Sequence, residues 1–362
     1  MSNYIEYKDS LAFHPGYYLE ELVEESGLTQ ADFAKRLGTT PKNLSLLIRG
    51  KQSLSVDIAM KLSKMLGTTM QYWLNLQNAY DIALAQMASE EELEQEKVVL
   101  KMLGYGYFRD NFGLPDLPRN LDEQVEQVRS FLGVASLTVL TSRDMAVSFR
   151  SSTGAMSEAG IARANAMVQI ATNKAVAIDA PKFDKGKFEE AIEFALTQTE
   201  NHEGFYPLIA ERFLEAGVVL VVLPNLSGSK TNGATKRVGR SVMMMVNDRR
   251  LYADSFWFTL LHEAGHVING DYGISFDSDA GDVERKADEY AENKLIDPQL
   301  YRDYVRRSEG HFTLPSIVAF AKSVNRDPGI VLGRLENDGH VSRDNRMQSL
   351  RCKYHVFVEK DA

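Results

Sequence analysis

His262-Glu263-Ala264-Gly265-His266 closes an apolar run, Phe256-Trp257-Phe258-Thr259-Leu260-Leu261. No other stretch constrains the fold of this chain as much. Residues four apart on an α-helix lie about 40° apart around its axis. A helix through this stretch therefore aims both imidazoles at one small cation. Glu263 points to a neighbouring part of the same face, where its carboxylate can take a proton from an attacking water. The bland alternative is a partly buried helix that carries two polar histidines. The sequence downstream weighs against it.

A zinc site that works on a substrate has three protein ligands and keeps its fourth position for water. Eighteen residues after His266 stands Glu284, within Val283-Glu284-Arg285-Lys286-Ala287-Asp288-Glu289-Tyr290-Ala291. Glu284 and Asp288 are again four apart, and Val283, Ala287, Tyr290 and Ala291 form an apolar stripe that can pack this helix on the first. Glu284 is the candidate third ligand, with Glu289 and Asp282 as rivals. Asp288 lies one turn on, placed to accept a hydrogen bond from the outer nitrogen of a liganding histidine and hold its tautomer. The competing view is a solvated, charge-rich face. Glu-x-x-x-Asp after H-E-x-x-H resembles the gluzincin arrangement.

At 362 residues the chain has room for two domains or three. Its single cysteine, Cys352, excludes an intramolecular disulfide and any cysteine-rich metal site. The start of the chain lacks the basic-then-apolar order of a signal peptide. No apolar run approaches the ~20 residues that span a bilayer. A cytoplasmic protein without a membrane partner is expected. The net charge is −9, but residues 29–66 hold seven basic side chains against Asp32 and Asp57, a local +5 that leaves −14 elsewhere. A compact basic island on an acidic chain implies one localised anionic partner.

That island reads as two short helices with a glycine turn. Thr29 caps Gln30-Ala31-Asp32-Phe33-Ala34-Lys35-Arg36-Leu37, and Gly38 ends it. Ala31, Ala34 and Leu37 fall at helical spacing. Thr40 caps the next helix and Pro41 suits its first turn. Leu44, Leu47 and Ile48 face inward, while Lys42, Asn43, Ser45 and Arg49 face out. Such side chains bond phosphates and base edges, and the layout is that of a helix-turn-helix. An ordinary small helical bundle is the alternative. Leu54 to Gly67 adds a packing helix.

Further on, residues 79–103 read as a linker helix whose run of glutamates, Glu90 to Glu96, is a solvated face. Helices are expected over 121–132, 155–176, 186–200 and 205–216. Val218 to Pro224 and Ser241 to Asn247 read as strands around a Gly/Ser/Thr-rich loop at 227–240. Met243, Met244 and Met245 read as core filler. Ser241–Val246 is a candidate edge for an extended peptide, or simply a central strand.

Two resemblances join these readings. Leu19 to Trp73 resembles the XRE-type, HigA-like antitoxin helix-turn-helix. The likeness rests on Gly27-Leu28-Thr29-Gln30, Phe33-Ala34, Ile48-Arg49-Gly50-Lys51 and Leu54-Ser55. It implies a lambda-repressor-like domain that binds operator DNA as a homodimer at palindromic sites. Gln30, Lys42, Asn43, Ser45, Arg49 and Lys51 would make the contacts, and a cognate toxin could be a partner. Ser255 to His266, Glu284 to Ala291, Leu295-Ile296-Asp297-Pro298 and Ile330 to Leu335 resemble the ImmA/IrrE metallopeptidases. One position usually acidic in that family is basic here. This likeness implies a Zn2+ cofactor on His262, His266 and Glu284, with Glu263 as general base and a protein substrate, either a repressor or the chain itself.

The expected fold is α+β and mostly helical. An all-α helix-turn-helix domain (1–78) and a connection (79–120) lead into a zincin-like domain (121–362, core about 205–300) with a small mixed sheet. The expected function is a DNA-binding transcriptional regulator carrying a zinc peptidase in a stress, toxin–antitoxin or mobile-element circuit. The alternative is a non-catalytic, antitoxin-like repressor whose second domain senses a metal or ligand or serves as a scaffold.

Overall fold

The computed structural model describes residues 4–7, 10–143, 145, 157–276, 281–343 and 346–357. The chain divides into two compact units, Met1–Gln95 and Glu96–Ala362. Most of it is helical, and no helix among the described residues is long and apolar enough to cross a membrane.

In the first unit an antiparallel hairpin of β1 (Tyr4–Tyr7) and β2 (Ser10–Phe13) precedes the helices. Four-residue strands are too short to announce themselves by periodicity, and none is expected from the sequence. Then come α1 (Pro15–Glu25), α2 (Gln30–Leu37), α3 (Pro41–Ile48), α4 (Val56–Leu66) and the long α5 (Met70–Leu103). Local chemistry sets their ends. Thr29, Thr40 and Ser55 each accept a backbone N–H of the helix they open, and Gly38 ends α2 in the left-handed conformation. Leu19, Phe33, Leu37, Leu44, Leu62 and Trp73 form the core. Ala31 is exposed rather than packed, because Phe33 takes the inward position beside Ala34 and Leu37. Gly16 lets α1 touch α3, since a side chain there would overlap the Leu47 carbonyl.

The second unit continues through α6 (Tyr105–Phe112), α7 (Leu121–Leu132), a 3-10 turn at Leu137–Thr141, α8 (Glu158–Val176), α9 (Lys185–Leu196) and α10 (Phe205–Glu215). Residues 155 and 156 of the helix expected over 155–176 lie outside the described residues. Glu96 departs from the solvated face expected of its run. It is buried, accepts the Leu137 N–H at 2.7 Å and pairs with Arg129 at 3.2 Å.

A four-stranded mixed sheet follows, with β3 (Val218–Leu223), β4 (Thr231–Val238), β5 (Ser241–Asn247) and β6 (Gly273–Phe276) in the order β3-β5-β4-β6. The β3–β5 pair is parallel and the others are antiparallel. Two expectations are corrected here. The presumed loop 227–240 contains β4, whose Thr-Asn-Gly-Ala-Thr-Lys-Arg-Val sequence has no apolar alternation and is held by strands on both sides. Ser241–Val246 is central, not an edge, and all seven residues of β5 are buried. The three methionines are core, as expected. Between β5 and β6 runs α11 (Ala253–Asn269). After β6 come α12 (Asp282–Leu295), α13 (Pro298–Ser308), α14 (Leu314–Ser323) and α15 (Pro328–Asn337).

Candidate metal centre and nucleic-acid interface

The apolar run and both histidines lie on α11, which Gly270 ends by turning left-handed (φ 77°) and donating its N–H to the His266 carbonyl. Trp257, Leu260, Leu261, Ala264 and Val267 bury this helix in the main core with residues of β5 and α12. Full burial of each large apolar side chain stabilises the packing by about 1.5–3 kcal/mol. The partner α12 buries Glu284, Ala287, Ala291 and Leu295. Val283 is exposed instead of belonging to the expected stripe, because the inward face runs through 284, 287 and 291. Small residues bring the two helices close: a Cβ on Gly265 would meet the Tyr290 ring at 3.1 Å.

This approach gathers three ligand-type side chains. His262 Nε2 lies 3.0 Å from both His266 Nε2 and Glu284 Oε2, and His266 Nε2 lies 3.4 Å from Glu284 Oε1. The donor atoms fall within 4.8 Å of one another and all three residues are buried. Ligands about 2.0–2.1 Å from a tetrahedral ion sit roughly 3.3 Å apart. The donor set, two imidazoles and a carboxylate, thus fits a small divalent ion in chemistry and in spacing. The buried His266 Nδ1 has no hydrogen-bond partner among the described residues.

Asp288 lies 2.8 Å from His262 Nδ1, the outer nitrogen. Asp282 and Glu289, the rival ligands, are on the solvent side of α12, where both bond Arg285. Burial works to lower the His262 pKa, but hydrogen bonds that its ring donates to Asp288 and Glu284 overcome it and lift it to about 9. Burial pushes Glu284 upward, and its bonds to the two histidines override this and bring it down to about 2. Both shifts favour a charged His262–Glu284 pair, so a cation bound between these side chains would have to displace a proton.

Glu263 is fully buried and lies against β4. A Cβ on Gly233 would come within 2.5–2.7 Å of its Oε1, Cγ and Cδ atoms. Only a residue without a side chain leaves room for the carboxylate here. Gly233 is a position at the candidate site that the sequence reading misses, since nothing marks it until β4 is known to cross α11. Three side chains could donate to an oxyanion, His311, Tyr272 and Tyr290; His311 sits in an exposed turn with its Nδ1 3.1 Å from the Glu309 carbonyl. Tyr272 lies under the Arg237 guanidinium. Tyr290 packs on Gly265, and burial pushes its hydroxyl up to about 12.

In the first unit, Lys42 on α3 is exposed, as are its C-cap residue Arg49 and Lys51 just after it. Gln30, Asn43 and Ser45 are half-buried. Local bonds hold two of these side chains. Asn43 donates to Thr39 Oγ1 at 2.9 Å, and Ser45 Oγ accepts from Arg49 Nη2 at 2.7 Å. The basic surface expected around α3 is present. Asn43 and Ser45 would have to exchange these partners to meet a base.

Residues 19–73 match the family model described as Helix-turn-helix (HTH_3). YddM of Escherichia coli strain K12, described as an uncharacterized HTH-type transcriptional regulator, is 38% identical over 72 residues, 20% of this chain and 77% of that protein. Antitoxin HigA-1 of Vibrio cholerae is 35% identical over 72 residues, 20% of this chain and 68% of its own. Two solved structures are similar over 23% of this chain, each with a TM-score of 0.22. One is an addiction module antidote protein of a HigA family from Coxiella burnetii, 36% identical over 92% of its length. The other is PA4674 of Pseudomonas aeruginosa in complex with its operator DNA, 29% identical over 93%.

Proposed function

Because the chain belongs, through its N-terminal unit, to the helix-turn-helix transcriptional regulators, we propose that it binds operator DNA and carries in its second unit a divalent-metal module that regulates it. What supports this is the presence in one chain of a helix-turn-helix and a buried His262–His266–Glu284 set. Lys42, Arg49 and Lys51 hold phosphates, and Gln30, Asn43 and Ser45 adjust to the groove. The protein acts as a homodimer on a two-fold operator, as an antitoxin-like repressor. Similarity to an antitoxin of Vibrio cholerae makes a cognate toxin its natural partner. Footprinting on the chain's own promoter, with zinc and with chelator, tests the proposal. A protected palindrome whose occupancy changes with zinc supports it. Absence of sequence-specific protection removes the regulator, and protection indifferent to zinc reduces the second unit to a scaffold.

A second reading has its own support in Glu263, which lies one residue from His262 and is seated by Gly233. In this reading the second unit is a zincin-like, ImmA/IrrE-type peptidase acting on a repressor or on this chain. A zinc ion held by His262, His266 and Glu284 would supply Lewis acidity to the scissile carbonyl. Asp288 keeps the His262 ring oriented, and Glu263 takes the proton of the attacking water and hands it to the leaving amine. Zinc-dependent self-cleavage, or cleavage of a co-encoded repressor, that disappears in Glu263→Gln while metal content stays unchanged supports catalysis. Unchanged proteolysis in that variant removes Glu263 from the chemistry.

A further inference from the structure

β3 is the end strand of the mixed sheet, and among the described residues no strand pairs its outer side. Its residues Leu220, Val221 and Val222 line a groove of about 1050 Å3, above the usual size of a small-molecule pocket. None of His262, Glu263, His266, Glu284 or Asp288 lines it. β5 stands between β3 and β4, the strand that seats Glu263, so the groove is separate from the metal centre. The ladder shows where the β3 backbone points. The Gly217 carbonyl accepts the Val242 N–H at 2.9 Å, with Val218 opposite Val242. In a parallel pair only alternate residues bond a given neighbour. Val219 and Val221 therefore turn their groups to β5, and Leu220 and Val222 turn theirs outward. There the Val222 N–H faces the Tyr206 hydroxyl. Leu220 is buried, yet among the described residues no group bonds its N–H or its carbonyl. Buried backbone groups are nearly always paired, and natural sheets shield their edges. This edge ends in an open groove.

The rim of the groove is apolar and exposed. Ile178, Tyr206, Leu251 and Phe357 all line it while open to solvent. Such side chains scattered singly need no explanation, but gathered on one groove they mark a contact surface. Its charged residues are Lys174, Arg249, Arg250 and Lys353 against Glu203 and Asp248. Both arginines have bonding partners, and Asp248 is taken up by the N–H groups of Asn225 and Val356. Lys174 and Lys353 have no carboxylate partner among the described residues. Their ammonium groups lie over the Phe112 and Tyr252 rings, at 5.9 and 5.8 Å. Two ammonium groups thus stand against the one carboxylate of Glu203, a positive mouth on an acidic chain.

We infer that β3 is a docking edge for an extended segment of a partner protein, one that carries both apolar and acidic side chains. The segment adds as a strand beside β3. Its backbone takes up the Leu220 N–H and carbonyl, and one of its carbonyls replaces the Tyr206 hydroxyl at Val222. Its apolar side chains cover the rim, and its carboxylates meet Lys174 and Lys353.

Fluorescence anisotropy of the full chain with a labelled peptide of alternating valine and glutamate tests the edge. Saturable binding is expected. Methylating one alternate set of the peptide's backbone nitrogens should weaken it by about tenfold or more, and methylating the other set should not, because only one set faces β3. A valine–lysine peptide should bind about fivefold more weakly. Lys174→Glu combined with Lys353→Glu, both at exposed positions, should abolish that preference with the melting temperature unchanged. Absence of saturable binding overturns the proposal, as does equal binding of the two methylated peptides. A glutamate preference that survives both substitutions overturns the acidic partner. A dimer in sedimentation that the peptide dissociates would give the edge to a second copy of the chain, and that also overturns it.

Discussion

The helix-turn-helix of the first unit and the histidine–carboxylate cluster of the second are assembled in opposite ways. In the first, each helix end is set by a residue within three or four positions of the group it caps, as with Thr29 and Asp32 or Thr40 and Asn43. In the second, His262 meets Glu284 across 22 residues, and Glu263 is seated by a glycine 30 positions earlier, on another element. Locally encoded structure tolerates changes elsewhere in the chain. A site built from distant elements depends on every surface that brings them together. Substitutions in the two regions should therefore differ in what they disturb.

The largest expected effect is on the ligand set. Replacing His266 or Glu284 with alanine should lower zinc affinity by more than the roughly 10–100-fold that outer-shell changes cause, read by metal content after dialysis. DNA affinity measured without metal should stay the same, and a parallel fall in both would end the contrast between the two regions. Asp288→Asn should weaken zinc by about 10–100-fold while the metal still binds in one-to-one ratio. An Asp288→Asn protein that holds zinc as tightly as the parent would show that the His262–Asp288 bond does not orient the ring.

Gly233→Ala sharpens the comparison, because it tests a contact between elements that local sequence cannot encode. Crowding against Glu263 should cost about 1–3 kcal/mol of stability in denaturant titrations. In a Glu263→Ala background most of that cost should vanish. Simple additivity of the two substitutions would place the crowding elsewhere. On the other side of the comparison, Arg49→Ala should weaken operator binding by about tenfold and flatten its salt dependence by about one unit of slope. Zinc content should not change.

A further effect is on pH. His262 is raised from 6.5 to about 9 in the metal-free fold. Its stabilising contribution is complete below 6.5 and is lost as pH rises through 9. Glu284 is lowered from 4.5 to about 2, so its contribution is present above 4.5 and is lost as pH falls through 2. In chelator, the melting temperature should decline between pH 6.5 and 9, and His262→Gln should flatten that decline. Zinc affinity should rise over the same interval as the competing proton leaves. A melting temperature flat from 6.5 to 9 in the parent protein would contradict the charged pair.

Much of the first unit was legible because capping and turn chemistry are local. Thr40-Pro41 and Gly38 announce α3 and the end of α2 without any tertiary information. The main exceptions were Ala31, where Phe33 takes the inward position, and the short β1–β2 hairpin. The spacing of His262, His266, Glu284 and Asp288 was also legible, since helical periodicity alone puts each pair on one face. Glu96 was misread, for a carboxylate buried under a distant backbone N–H looks like its solvated neighbours. The strand at 231–238 was invisible because both of its edges are paired and its own side chains carry no pattern.

The amino-acid order by itself determined which side chains share a helical face, where the N-terminal helices start and stop, and which end of the chain is basic. These depend on distances of a few residues, where backbone geometry leaves little choice. The fold decided that the face of α11 meets that of α12, that β5 is interior, and that Glu263 finds a vacancy at Gly233. Those outcomes depend on how remote surfaces fit, and shape complementarity between segments far apart in the chain is written in no single stretch of it.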